Sequence, residues 1–236
     1  RLRAALRAAD RGRPANLGPT PAPRPEPAGA TIERGARFVD LGPACTTPHD
    51  VLGSELGLEW GRVLPPGLHR LLGTDFELRC GVHVSTYFDD TTAAIASIGK
   101  RSNAMPVALP HAGAIELLFV ADRLYFDQAD VPYAWLEFGY RDGSVARAPV
   151  VYRRQILEHW HSTPHGGEGR VAYHAVAGRE AAGENSASVY AVRLDNPHPE
   201  RELVQLVIEA VDRPWSTLLL LAATLEVDPA AGKRGP

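Results

Sequence analysis

The sequence predicts an all-β protein, a two-layer antiparallel β-sandwich with a proline-rich N-terminal extension. Three observations carry that prediction. After Thr31 the chain breaks into short β-like runs separated by turn residues at fairly regular intervals. Two alternating runs flank Asp142-Gly143, the dipeptide that supplies the positive φ a tight hairpin needs. Helical periodicity is confined to short stretches, and neither an internal repeat nor a coiled-coil heptad is present.

Length and composition fit this class. A chain of 236 residues, 44% hydrophobic and 22% charged, can bury a sizeable core and lies within the span of a single sandwich. Residues 1–9 place Leu2 and Leu6 among Ala and Arg, a helix-prone piece that is marginal alone because helix nucleation is costly. Residues 11–30 turn to Pro, Ala, Gly and Arg, with prolines at 19, 21, 23, 25 and 27, which favours an extended semi-rigid spacer. The expected organisation is therefore a helix-prone piece and linker over 1–30, a sandwich over 31–227 and a disordered tail over 228–236.

Within the sandwich the first strand is expected at 37–41. The turn Leu64-Pro65-Pro66-Gly67 leads into 74–78, where polar and apolar residues alternate. Residues 82–88 alternate similarly. The run 114–125 is more continuously apolar and suits a central strand covered on both faces, with a short buried helix as the alternative. The hairpin pairs 133–140 with 144–152, and Trp135 within it is expected to face the core. Strands at 187–194 and 203–211 follow, joined by 195–201, whose prolines exclude a ladder interior. Residues 216–227 complete a set of about eight to ten strands. Helix is expected only at 155–160 and 47–56.

Charge and hydropathy exclude some functions. A net charge of -3 and a pI near 6.3 give no basic footprint for nucleic acid or for an acidic membrane surface. The longest apolar run, 218–223, is strand-sized and far short of a membrane helix. The chain opens on Arg1 with no apolar signal core behind it, so any signal or anchor would lie upstream. Cys45 and Cys80 are the only cysteines, compatible with one disulfide in an exported protein or with two buried thiols otherwise.

Several segments together resemble a known family. These are Leu64-Pro65-Pro66-Gly67, Gly73-Thr74-Asp75-Phe76-Glu77-Leu78, the Asp-Gly hairpin, Trp160, the run Tyr190-Ala191-Val192-Arg193-Leu194-Asp195-Asn196-Pro197-His198-Pro199-Glu200, and Ile208-Glu209-Ala210 before the last apolar strand. They are similar to the galactose-binding-like β-sandwich modules appended to bacterial cell-envelope proteins, among them FecR-like regulators and carbohydrate-active enzymes. The resemblance covers roughly 38–227. It implies a jelly-roll fold, glycan binding and a bacterial extracytoplasmic location: periplasm, cell surface or secreted. No fixed set of ligand residues comes with it, so fold transfers more readily than function.

Residues with chemistry in reach are few. His159 and His161 would share a strand face, and His165 from the following loop could complete a three-nitrogen zinc site, but no Cys or carboxylate nearby completes a metal motif. Asp89 and Asp90 are the densest candidates for a structural calcium ion, with a plain acidic turn after Phe88 as the favoured reading. Glu137, Glu158, Asp127 and Asp130 are candidate glycosidase carboxylates, though nothing in their spacing singles them out. No serine elbow is present, and Gly166-Gly167-Glu168-Gly169 lacks the strand-to-helix context of a nucleotide loop. For sugar stacking, Trp60, Tyr87, Trp160 and Trp215 are the candidates, each with core packing as its alternative. The expected function is noncatalytic: a carbohydrate-binding-like or adhesive module. Its partner is a glycan or a neighbouring protein chain, self-association included. A self-assembling or docking structural module is the first alternative and a glycoside hydrolase the second.

Overall fold

The computed structural model describes residues 36–48, 64–86, 100–122, 130–157, 169–176, 186–211 and 217–227. Among them run thirteen strands and one 3-10 turn, Gly42–Ala44. The strands are β1 (Ala36–Phe38), β2 (Thr47–Pro48), β3 (Gly67–Leu71), β4 (Thr74–Leu78), β5 (Cys80–Ser85), β6 (Met105–Leu109) and β7 (Ala112–Asp122). Then come β8 (Pro132–Tyr140), β9 (Val145–Val151), β10 (Arg170–Val176), β11 (Ser186–Asp195), β12 (Leu203–Ala210) and β13 (Thr217–Val227).

Every pairing between these strands is antiparallel. A seven-stranded sheet runs β10-β11-β7-β13-β5-β2, with β1 also paired to β13, and a four-stranded sheet runs β6-β12-β8-β9. The pairs nest along the chain: β5 with β13, β6 with β12, β7 with β11, and β8 with β9. A long antiparallel ribbon rolled across two sheets produces that nesting, which is the winding of a jelly-roll. The expected two-layer antiparallel sandwich is therefore the observed fold.

Side-chain parity explains why the sheets stack. On β7, Ile115, Leu117, Phe119 and Ala121 point into the core between the sheets, while Leu118 and Val120 point to the other side. Both faces are covered, which accounts for a continuous apolar run in place of alternation. On β13 the inward residues are Leu218 and Leu220, then Ala223 and Leu225. A register shift against β7 between Leu220 and Ala222 changes the parity, so that Leu221 and Ala222 both join the outer cluster. One extra residue in a strand produces this kind of shift.

The outer cluster is a second core. The β3–β4 hairpin lays Leu71, Phe76 and Leu78, with Leu64 before it, over Leu118, Val120, Val189, Leu219 and Leu221. Its turn is Leu72-Gly73, both at positive φ (53° and 86°), as a two-residue hairpin loop of the primed type requires. Thr224 Oγ1 on β13 donates to Asp75 O at 2.7 Å and pins the hairpin to the sheet.

The Asp-Gly hairpin forms as expected. Gly143 N donates to Tyr140 O at 3.0 Å, Gly143 takes φ 81°, and Asp142 Oδ1 accepts from Ser144 N at 2.9 Å. Three expectations need correction. Thr47–Pro48, placed in a helix, is strand β2 against β5, and 155–157 form a turn and a bridge to Tyr152 in place of a helix. Trp135 faces away from the core: Ala134, Leu136, Phe138 and Tyr140 are the inward set on β8, and the period of two turns Trp135 outward.

Candidate functional site

The outer face of the four-stranded sheet concentrates the chemistry of the described residues. Because Leu206, Ile208 and Ala210 of β12 point inward, Gln205, Val207 and Glu209 point outward. On β8 the outward set is Trp135, Glu137 and Gly139, and on β9 it is Val145, Arg147 and Pro149. Register places Trp135 opposite Pro149 on one side and Glu209 on the other, and Glu137 opposite Arg147. Among the described residues, no strand or helix lies over this face, and Trp135 is half-buried on it.

Beside Trp135 sits a closed cluster of charges. Arg101 donates through Nη1 and Nη2 to both oxygens of Glu137, and through Nη1 to Glu209 Oε2 at 2.9 Å. From the opposite side Arg147 donates to Glu137 Oε2 through Nε at 3.1 Å and Nη2 at 2.9 Å, and reaches Glu209 Oε2 at 3.3 Å. Lys100 Nζ lies 3.8 Å from Glu209 Oε1. Two guanidinium planes thus hold two carboxylates in fixed orientation, a geometry suited to the planar fork of arginine. The hydrogen bonds from Arg101, then those from Arg147, hold the Glu137 carboxyl below its ordinary range against the opposing effect of desolvation. Further along, Gln205 lies across Gly139, where a Cβ would meet its Cγ at 2.5 Å.

A second buried carboxylate occupies the other sheet. Glu116 of β7 is 4% exposed and accepts from Arg170 Nη2 at 3.0 and 3.1 Å. Desolvation pushes its carboxyl upward, with Arg170 and Arg193 pulling the other way.

At one end of the sandwich the segment 195–202 folds onto the β8–β9 turn. His198 meets the Tyr140 ring edge-on at 5.6 Å, and Arg201 stands 5.9 Å over the same ring while donating to Ser144 Oγ at 2.8 Å. The stretch that carries the family resemblance therefore serves the fold by fastening the β11–β12 connection. An open cleft of about 460 Å³ lies where residues 37–41 meet Glu77 and Arg79. Its charged wall is internally paired, with Arg79 donating to Glu77 Oε1 at 2.7 Å.

Most residues singled out from the sequence lie outside the described residues: Trp60, Tyr87, Trp160, Trp215, Asp89, Asp90, His159, His161, His165, Asp127 and Glu158. Among the described residues no group of three or more His, Cys, Asp or Glu could hold a metal ion, and no helix is long and apolar enough to cross a membrane. Asp130 is an exposed turn residue 3.8 Å from Arg154 Nε. Cys45 and Cys80 are both in the thiol form, one exposed and one buried. Sequence reasoning missed Trp135, Arg101 and Arg147 as a group; the signal was the alternation Ala134-Trp135-Leu136-Glu137-Phe138, which puts Trp and Glu on one face. Compared with protein-family models and with curated proteins, the chain matches none.

Proposed function

We propose that this chain is a noncatalytic carbohydrate-binding module of a bacterial envelope or secreted protein, and that the outer face of its four-stranded sheet, centred on Trp135, meets the glycan. The observation that carries the reading is a half-buried tryptophan on a sheet face over which no strand or helix of the described residues lies, flanked by charged side chains whose orientation is fixed by mutual pairing. A pyranose presents an apolar face that stacks on an aromatic ring and a rim of hydroxyls that need donors and acceptors held in place. Arg101 and Arg147, each close to half exposed, and the carboxylates between them supply both kinds of group. The likeness of the 190–200 segment and the hairpin to galactose-binding-like modules supports the same class.

The charge cluster weighs against Glu137 as the general acid of a hydrolase. A general acid needs a carboxyl raised toward neutrality, and Glu137 is shifted the opposite way by two arginines.

The test is a polysaccharide panel screened by affinity electrophoresis and calorimetry, with calcium and then with chelator. Saturable binding that weakens at least about tenfold in Trp135→Ala is expected, since one stacked ring is worth about 1.4 kcal/mol or more. Loss confined to Trp160→Ala or Trp215→Ala would move the ligand face elsewhere. A panel with no binding at all points to the docking alternative, which concentration-dependent mass in size-exclusion chromatography then examines.

A further inference from the structure

We propose that the sugar met by the Trp135 face is an anionic one, a residue bearing a carboxylate or a sulfate group, and that Arg101 and Arg147 read its charge. The inference rests on the glycan reading and goes further by naming the chemical class of the ligand. Sheet register sets the geometry. Glu209 is the cross-strand partner of Trp135, and Arg101 is bridged to Glu209 in turn, so Arg101, Glu209 and Trp135 form one row across the face. Glu137 and Arg147 are paired in the neighbouring row, about 7 Å further along the strands. The backbone on either side of Arg101 is fixed to β12: Ala210 N donates to Lys100 O and Ser102 N donates to Ile208 O, each at 2.9 Å. A pyranose stacked on Trp135 therefore has both arginines within reach of its substituents.

The balance of donors and acceptors selects the charge. Glu137 accepts four hydrogen bonds, two from each arginine, three of them on Oε2 and one on Oε1. Glu209 Oε2 accepts from both arginines, and its Oε1 lies 3.8 Å from Lys100 Nζ. A carboxylate has about four acceptor sites, so those left over are on the two Oε1 atoms, each already facing a cation. Donors are in excess. Among the described residues Arg147 Nη1 and Arg101 Nε make no hydrogen bond, and the two side chains are 48% and 43% exposed.

Charge points the same way. Three cations, Lys100, Arg101 and Arg147, face the two carboxylates Glu137 and Glu209, a local positive excess on a chain whose net charge is -3. An ionised carboxylate or sulfate offers only acceptors and a negative charge, which is what this arrangement leaves unmatched. A neutral hydroxyl placed there brings a proton for which few acceptors remain.

The experiment measures calorimetric affinity of the full chain for two matched pairs, with chelator present throughout: polygalacturonate against its methyl ester, and dextran sulfate against dextran. In at least one pair the acidic member is expected to bind about tenfold tighter at low salt, since a hydrogen bond to a charged group is worth about that factor or more. That advantage should shrink as salt is added, and the pair that shows it tells carboxylate from sulfate. Arg147→Gln and Arg101→Gln, each checked for folding by its melting curve, should lose most of the acidic advantage, whereas Trp135→Ala should weaken acidic and neutral binding alike. Equal affinity for acidic and neutral members overturns the proposal and leaves the glycan reading standing. So does an acidic advantage that survives in both folded arginine variants. Absence of binding to every member overturns the proposal here, and the broader polysaccharide panel then decides the glycan reading separately.

Discussion

Tyr140 donates its hydroxyl to Asn196 Oδ1 at 2.6 Å, and Asn196 Nδ2 donates onward to Ala112 O at 2.8 Å. Tyr140 closes β8 in one sheet, while Ala112 opens β7 in the other, so this buried relay ties the two layers at one end. Desolvation pushes the Tyr140 phenol up and keeps it protonated as the donor. Asn196 Oδ1 also accepts from His198 N at 3.1 Å, which orients the turn carrying Arg201.

Removing members of this relay should have unequal effects. Tyr140→Phe leaves Asn196 Oδ1 with its His198 partner and is expected to cost about 1 kcal/mol. Asn196→Ala strands Tyr140 Oη and Ala112 O together in a buried site and should cost about 2 to 3 kcal/mol. Urea denaturation of both single variants and the double variant measures this, and a double variant equal to the sum of the singles would show that the two residues do not act together.

The buried glutamates should respond to acid with opposite sign. Glu137 has a folded-state pKa below its unfolded value, so its stabilisation is present above about pH 4.3 and is lost as pH falls through the lower folded value. Glu137→Gln should therefore cost about 1 kcal/mol at pH 7, a modest figure because both arginines are well solvated, and progressively less as pH falls through the folded-state value. Glu116 has a raised folded-state pKa, so its ionisation opposes folding, and stability is regained as pH falls from above that value toward about 4.3. Glu116→Gln is expected to flatten that region of the curve and to stabilise the neutral protein. Chemical denaturation from pH 2 to 8 separates the two.

Two glycines differ sharply in tolerance. A Cβ at Gly169 would lie 1.7 Å from the Gln155 carbonyl oxygen, a backbone atom that cannot step aside. Gly169 N also donates to Arg154 O at 2.9 Å, so the contact is fixed from both sides. Gly169→Ala should cost about 3 kcal/mol or more. At Gly139 the obstacle is the Gln205 side chain, which can swing out, and Gly139→Ala should cost about 1 kcal/mol. Thermal unfolding of the two variants in parallel is the measurement.

The hairpin over the second core offers a test of modularity. Phe76 is fully buried there, and Phe76→Ala should cost about 3 to 5 kcal/mol through lost burial and the cavity left behind. Hydrogen exchange is expected to show β3 and β4 amides losing protection while those of β8 and β12 keep it. Uniform loss across all four strands would mean that the hairpin and the sandwich open as one unit.

Much of this architecture was legible along the chain because period-two alternation and turn chemistry are local signals. The β8–β9 hairpin announced itself through Asp142-Gly143, and β7 through a run too apolar for a one-sided strand. Other elements were not. Pro106 sits within β6 and removes a backbone donor, a feature that reads as a break although the strand lies at a sheet edge. The outward turn of Trp135 depends on which of two interleaved apolar sets wins the core, and Leu136, Phe138 and Tyr140 outweigh it. The Arg101 and Arg147 clasp on Glu137 joins residues 36 and 10 positions apart, and only the sheet register brings them together.

The position of β13 constrains how the chain reaches this structure during synthesis. It lies inside the larger sheet, pairing with β7 on one side and with β5 and β1 on the other, yet it follows all of them in order of translation. Until Thr217–Val227 clears the ribosome, β7 has no neighbour on one edge, and β5 has nothing to hold it in the layer. The chain short of β13 therefore leaves an edge of β7 unpaired, and a stop codon placed just before residue 217 should yield aggregate in place of a smaller folded product.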